Sequence, residues 1–448
     1  MNANNPYANA VDIQRQTWEN AAEFVGKLDM LDEVNRRVAN VEVGGTPSEV
    51  VFEENKLELL HYEPRTDEQF DVPILFVYAL FNKPFILDLQ PDRSVIRTFL
   101  DYGFDVYMID WNEPSLMDHA LTFEDYVGRY IDDCVDVVRQ RSGQDAIDLF
   151  GYCMGGTMSL IYAALYPERV RNLGLMAASV CLRDRDSVLD QWIGDGLFDL
   201  EVLADTFGNA PAEFLDAGFS MREPVQNNLT KYIRFFDGIE NEDFVENFAR
   251  MERWIEESID VPGRMFVDFV DAVYTEQKLY NNEMYVGGEH VDIGNLTMPI
   301  AQVIGTYDHV VPQEAPKAFN EVLPTDDLTV FQSDTGHMGL AVSGRAHSEL
   351  WPDVCAWYEE RGGEISGGTG WTDVDVGAAP GISPDAAGVI DLEEIDGVGP
   401  AYAERLRDAG VGSVADLARA DAADLADAAD VPASRLEDWI ERARETTA

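Results

Sequence analysis

Apolar residues along the first three quarters of the chain gather in short runs that end in turn residues, at 74–78, 105–109, 146–150, 171–177, 298–304 and 327–331. Runs this short and this continuously apolar suit strands that are covered on both faces. Between them the apolar spacing becomes helical, so strand and helix alternate and a mostly parallel sheet is expected. Residues 49–64 read differently: two half-polar stretches meet at Glu54-Asn55-Lys56, which predicts a hairpin. Residues 10–45 read as helical. From about 183 to 290, Phe, Trp, Tyr and Met recur at helical spacing, which predicts a helical cap inserted into the sheet domain. At Gly362 the composition shifts to Gly, Pro, Ser, Ala and Asp, the pattern of a flexible linker. The expected organisation is therefore an N-terminal helical segment with the first strands at 1–60, a catalytic α/β domain at 61–361, a linker at 362–388 and a small helical domain at 389–448.

One turn changes this from a fold to a chemistry. Gly151-Tyr152-Cys153-Met154-Gly155-Gly156 joins the run 146–150 to the helix-like stretch from Thr157 to Leu165. This is the strand, sharp turn and helix of a nucleophile elbow, with cysteine where serine is usual, and it predicts an α/β-hydrolase fold. The helix N-terminus behind the turn favours a thiolate and, later, an oxyanion. Downstream, Asp308 follows the run 298–304, and His337 follows the run 327–331 on a loop between Gly336 and Gly339. Nucleophile, acid and histidine thus stand in the order of an α/β-hydrolase triad. Of the six histidines, His309 is the one competitor, and adjacent to Asp308 it would point away from it. Cys153, Asp308 and His337 are therefore the candidate catalytic residues. The oxyanion hole is expected from the backbone N–H of Met154 with a second donor near Ala79 or Leu80, just past the first buried strand. A cysteine nucleophile forms a thioester nearly equal in energy to a thioester substrate. Reversible acyl transfer is then favoured over hydrolysis wherever water is kept out.

Charge adds a setting. The formal net charge is −52, with 84 acidic residues against 32 Lys and Arg, and six of those 32 are lysine. Such a surface repels itself in dilute buffer and is screened at molar salt, where the Debye length falls to about 3 Å. The acids spread along the whole chain, which suits a halophile's cytoplasm better than one basic partner. The polar start lacks a signal-peptide core, and no apolar run is long enough to span a membrane. Cys134, Cys153, Cys181 and Cys355 have neither metal nor disulfide spacing, so no metal or cofactor is expected. Cys134, in a helical pattern, and Cys181, at a strand end, read as packing residues.

Several longer stretches carry a resemblance. Asn82 to Ser94, Gly103 to Trp111, the elbow Gly151 to Gly156, Asn228 to Tyr232, Asp243 to Phe248 and Met251 to Trp254 together resemble the poly(3-hydroxyalkanoate) synthases. The likeness is strongest to the short class III catalytic subunits and their haloarchaeal relatives, and it covers roughly residues 10–360. It implies an acyltransferase that polymerises (R)-3-hydroxyacyl-CoA with release of CoA, 3-hydroxybutyryl-CoA first and 3-hydroxyvaleryl-CoA second. It further implies that Asp308 activates the 3-hydroxyl during elongation. A non-catalytic partner subunit, a homo-oligomer and cytoplasmic polyester granules are implied as well. Two rivals stay open: a Cys-triad hydrolase of thioesters or dienelactones, and a granule- or nucleoid-binding protein with a vestigial fold. The tail from Ile395 to Leu406 resembles a helix-hairpin-helix domain, and the second half, 411–440, keeps the pattern. Acids far outnumber arginines there, so DNA is not an expected partner; protein docking or solubilisation fits better.

Overall fold

The computed structural model describes residues 41–185, 187, 190, 200–221, 235, 241–363 and 365–367, with 411, 417, 436, 439–440 and 442–443 in the tail. Its centre is an eight-stranded sheet: β1 (Ser48–Glu54), β2 (Leu57–Tyr62), β3 (Ile74–Val77), β4 (Val106–Asp110), β5 (Ile147–Tyr152), β6 (Val170–Met176), β7 (Ile300–Gly305) and β8 (Leu328–Ser333). The strands lie in the order β1-β2-β4-β3-β5-β6-β7-β8. The hairpin β1–β2 joins β4 antiparallel, and every other neighbour is parallel. All six apolar runs are strands, within two residues of their expected ends. Strands β3, β5 and β7 are buried at every position, as a sheet covered on both faces requires.

Helices α1 (Val95–Asp101), α2 (Asp132–Ser142) and α3 (Met154–Leu165) fill the crossovers. Near the end of the catalytic unit, α8 (Trp351–Glu359) packs on α1. Phe99, Phe150, Trp351 and Tyr358 form a cluster of edge and tilted ring contacts there. Between β6 and β7 the insertion is helical as expected, with α4 (Leu200–Phe207), α5 (Ala212–Met221), α6 (Glu242–Glu256) and α7 (Gly263–Phe269). Helix α6 is tied to the body by three donors that end on main-chain carbonyls. Arg250 Nε reaches Glu42 O at 3.0 Å, Arg253 Nη1 reaches Val41 O at 2.7 Å, and Trp254 Nε1 reaches Lys83 O at 2.8 Å.

Some expectations need correction. The helical reading of 10–45 lies mostly outside the described residues, and 41–45 is not helical. Residues 365–367, assigned to the linker, pair antiparallel with Glu68–Phe70, because the apolar end of the catalytic unit still offers a strand edge. Cys134 is buried on α2, as read. Cys181 is buried too, yet it sits five residues past the end of β6, in a left-handed turn. Contacts divide the chain into two compact units, 1–374 and 375–448. In the second, Val411, Leu417, Leu436, Trp439, Ile440 and Ala443 are buried. Among the described residues, no helix is long and apolar enough to cross a membrane.

Candidate active site

Strand β5 runs straight into the elbow. Cys153 takes φ 55° and ψ −121°, a strained conformation that its neighbours hold in place. Glycine is required beside it: a Cβ on Gly151 would lie 2.5 Å from Gly155 O, and one on Gly155 would run into the Val77 carbonyl. That close approach seats the N-terminus of α3 on the end of β3. The Cys153 N–H donates to Met176 O at 3.0 Å, which fixes the turn to β6. The thiol is 3% exposed.

The other two candidates meet next to it. Asp308, just past β7, receives the Val310 and Val311 N–H groups on Oδ1, both at 2.8 Å. Its Oδ2 lies 2.7 Å from His337 Nδ1. The imidazole is stacked on Tyr152, centroids 5.1 Å apart, and the Tyr152 hydroxyl donates to His337 O at 3.3 Å. Burial alone would lower the His337 pKa. The charges of Asp308 and Cys153, with hydrogen bonds to both, outweigh it and push the group up to about 10. The imidazolium is thus favoured while a carboxylate and a sulfur face it. His309 is exposed, and His337 is the histidine whose ring nitrogen meets Asp308 Oδ2. The Asp308 side chain has no exposure.

Ala79 and Leu80 follow β3 and are buried beside the elbow. Their N–H groups and that of Met154 find no acceptor among the described residues, the condition an oxyanion hole needs. Sequence reading missed four further residues around the thiol. Ser179 Oγ lies 3.5 Å from Cys153 Sγ. Tyr78 and Tyr152 are buried with their rings 5.7 Å apart, and burial first, then the charge of nearby groups including Cys153, raises both phenols. From the cap, Trp254 engages Tyr78. A polar residue inside the apolar run around β6 was the one signal available for Ser179. A cavity of about 470 Å³ lies elsewhere, lined among others by Phe123, Glu124, Arg264 and Asp271, and it holds no triad residue. The thiol sits in a closed site.

Comparison with known proteins follows this geometry. A family model described as alpha/beta hydrolase fold matches residues 72–343, and one for the Poly-beta-hydroxybutyrate polymerase (PhaC) N-terminus matches 18–99. The poly(3-hydroxyalkanoate) polymerase subunit PhaC of Haloferax mediterranei is 47% identical, over 99% of this chain and 99% of its own. This chain belongs to the poly(3-hydroxyalkanoate) polymerase family. The polymerase subunit of Haloarcula marismortui is 48% identical over 98% of both chains. That of Allochromatium vinosum is 38% identical over 72% of this polymerase and 90% of its own length. A model described as SAM-like Helix-hairpin-helix tandem matches residues 389–445 of the polymerase tail.

Proposed function

We propose that this enzyme polymerises (R)-3-hydroxyacyl-CoA, 3-hydroxybutyryl-CoA above all, through a thioester on Cys153. The observation that carries the reading is a buried thiol on the elbow, faced by an imidazole that a carboxylate 2.7 Å away orients. His337 takes the thiol proton, and the sulfur attacks the thioester carbonyl. The oxyanion accepts from Met154 N–H and from Ala79 or Leu80 N–H; its collapse expels CoA, which leaves with the proton held by His337. A 3-hydroxyl then gives its proton to His337 and attacks the acyl-enzyme, so that a thioester becomes an oxoester and the polymer grows by one unit. Loading exchanges one thioester for another at little cost, and the ester-forming step runs downhill. A thiol only 3% exposed supports transfer over hydrolysis, since water is kept from the acyl-enzyme.

The relatives are named as subunits. We therefore include a non-catalytic companion subunit and assembly on cytoplasmic polyester granules in the proposal, with the tail as the docking segment and 368–388 as its tether. The test is direct: purified protein in molar salt is given 3-hydroxybutyryl-CoA, and free CoA and sedimenting polyester are measured together. Both should appear in proportion. CoA release with only soluble 3-hydroxybutyrate would make the protein a thioesterase and overturn the proposal.

A further inference from the structure

The turn that follows β6 is more strained than its connecting role requires. Ala177 has φ 45° and Cys181 φ 51°, two non-glycine residues in the left-handed region with Ser179 between them. Such conformations cost on the order of 1–3 kcal/mol each and persist where the surroundings enforce them. Here the enforcing contacts lead to β7 and to the elbow. Ala177 N–H donates to Val303 O at 2.9 Å, which ties the turn to β7. Ser179 N–H donates to Cys153 O at 3.2 Å, and Thr157 Oγ1 donates to Ser179 O at 3.0 Å. A Cβ on Gly156 would lie 2.7 Å from the Ala178 methyl, so α3 and the turn are already at closest approach. Main chain on both sides of Ser179 is thus locked to the nucleophile's own turn.

The side chain completes the pattern. Ser179 is 5% exposed. Among the described residues its hydroxyl has one partner, Cys153 Sγ at 3.5 Å, within range for a hydrogen bond to sulfur. The sulfur also interacts with the His337 ring strongly enough to raise the imidazole. It therefore lies between the hydroxyl and the base.

We propose that Ser179 is a positioning residue for the nucleophile: its hydroxyl donates to the Cys153 sulfur and holds it in one rotamer, ready for attack, before substrate arrives. Acylation leaves the sulfur uncharged, so the hydrogen bond weakens just when the sulfur has to present an acyl group. The proposal rests on Cys153 as nucleophile and is independent of which acyl group is carried.

The test reads the sulfur without substrate. Full-length protein is alkylated with iodoacetamide across a pH series, and modification of the Cys153 peptide is followed by mass spectrometry. Cys134, Cys181 and Cys355 compete little, because burial pushes their thiols up. Thr and Val have nearly the same shape and differ by the hydroxyl, so Ser179→Thr and Ser179→Val form the deciding pair, with Ser179→Ala as a smaller control. The Val and Ala variants should alkylate Cys153 roughly tenfold more slowly than the wild type, about the loss of one hydrogen bond to the sulfur. The Thr variant should stay with the wild type. Coinciding Thr and Val profiles, shifted or not, would overturn the proposal in favour of a packing role. Wild-type Cys153 no more reactive than the other cysteines would overturn the nucleophile assignment itself, and this proposal with it.

Discussion

The proposed chemistry rests on three side chains, and each can be removed separately. Cys153→Ala should abolish CoA release with the circular dichroism spectrum unchanged, and Cys153→Ser should be far slower, because a hydroxyl is the poorer nucleophile at neutral pH. Asp308 is a finer test. Its carboxylate is saturated by two N–H groups and His337, so Asp308→Asn should slow acyl loading and chain elongation together, by on the order of 10³- to 10⁴-fold. Rapid-quench measurement of the labelled acyl-enzyme separates the two steps. A variant that loads well but elongates poorly would show the carboxylate acting on the 3-hydroxyl after all. The meeting of Asp308 and His337 beside the elbow was legible in the sequence because order, strand ends and flanking glycines are all one-dimensional. Ser179 was not, since a lone hydroxyl in an apolar run reads as packing until the strained turn places it on the sulfur.

Elements tell the same story from their interiors. The sheet was readable because strands buried on both faces leave no polar alternation, and the runs mark their own ends. Helical spacing showed that the cap is helical, but it could not show what α6 presses against, because Arg250, Arg253 and Trp254 bind main-chain carbonyls that any sequence supplies. Strand β5 carries a cost that the sequence also concealed. Asp148 is wholly buried, with Asn172 Nδ2 2.7 Å from Oδ1 and no partner for Oδ2. Burial drives its carboxyl up to about 7 against the pull of Asn172 and Arg171. Between the unfolded value near 4 and this one, the native state holds the extra proton, so its stability falls as pH rises through that window. Asp148→Asn should raise stability at pH 8 by a few kcal/mol and change it far less at pH 4, near the foot of the window. Urea unfolding at the two pH values checks this; equal effects at both would place the cost elsewhere.

At the scale of the molecule, charge dominates. With a formal charge of −52, the melting temperature should rise steeply between 0.1 M and 3 M KCl, by roughly ten degrees or more, read by scanning calorimetry. A flat response would mean that the acids are locally neutralised. The tail is the other large-scale feature. Removing residues 375–448 should leave Cys153 able to load acyl groups while weakening binding to the companion subunit or to granules, measured by co-sedimentation with polyester. Loss of loading would place the tail within the catalytic unit. The tail's helical character was legible from its glycine hairpin and apolar spacing; its role was not, because an acidic surface leaves no electrostatic footprint of a ligand.

The cap attachment has a consequence for recombination between relatives. Three of its anchors end on peptide oxygens and ask nothing of the body's side chains, while Gln90, which receives Arg250 and Asn247, and Tyr78, which meets Trp254, are body side chains that α6 also engages. A cap grafted from another polymerase would need an Arg, Arg and Trp at the matching places, and a foreign body would need to supply only a Gln and a Tyr where Gln90 and Tyr78 stand. Peptide oxygens also carry no net charge, so these ties keep their strength in brine that screens the protein's surface ion pairs.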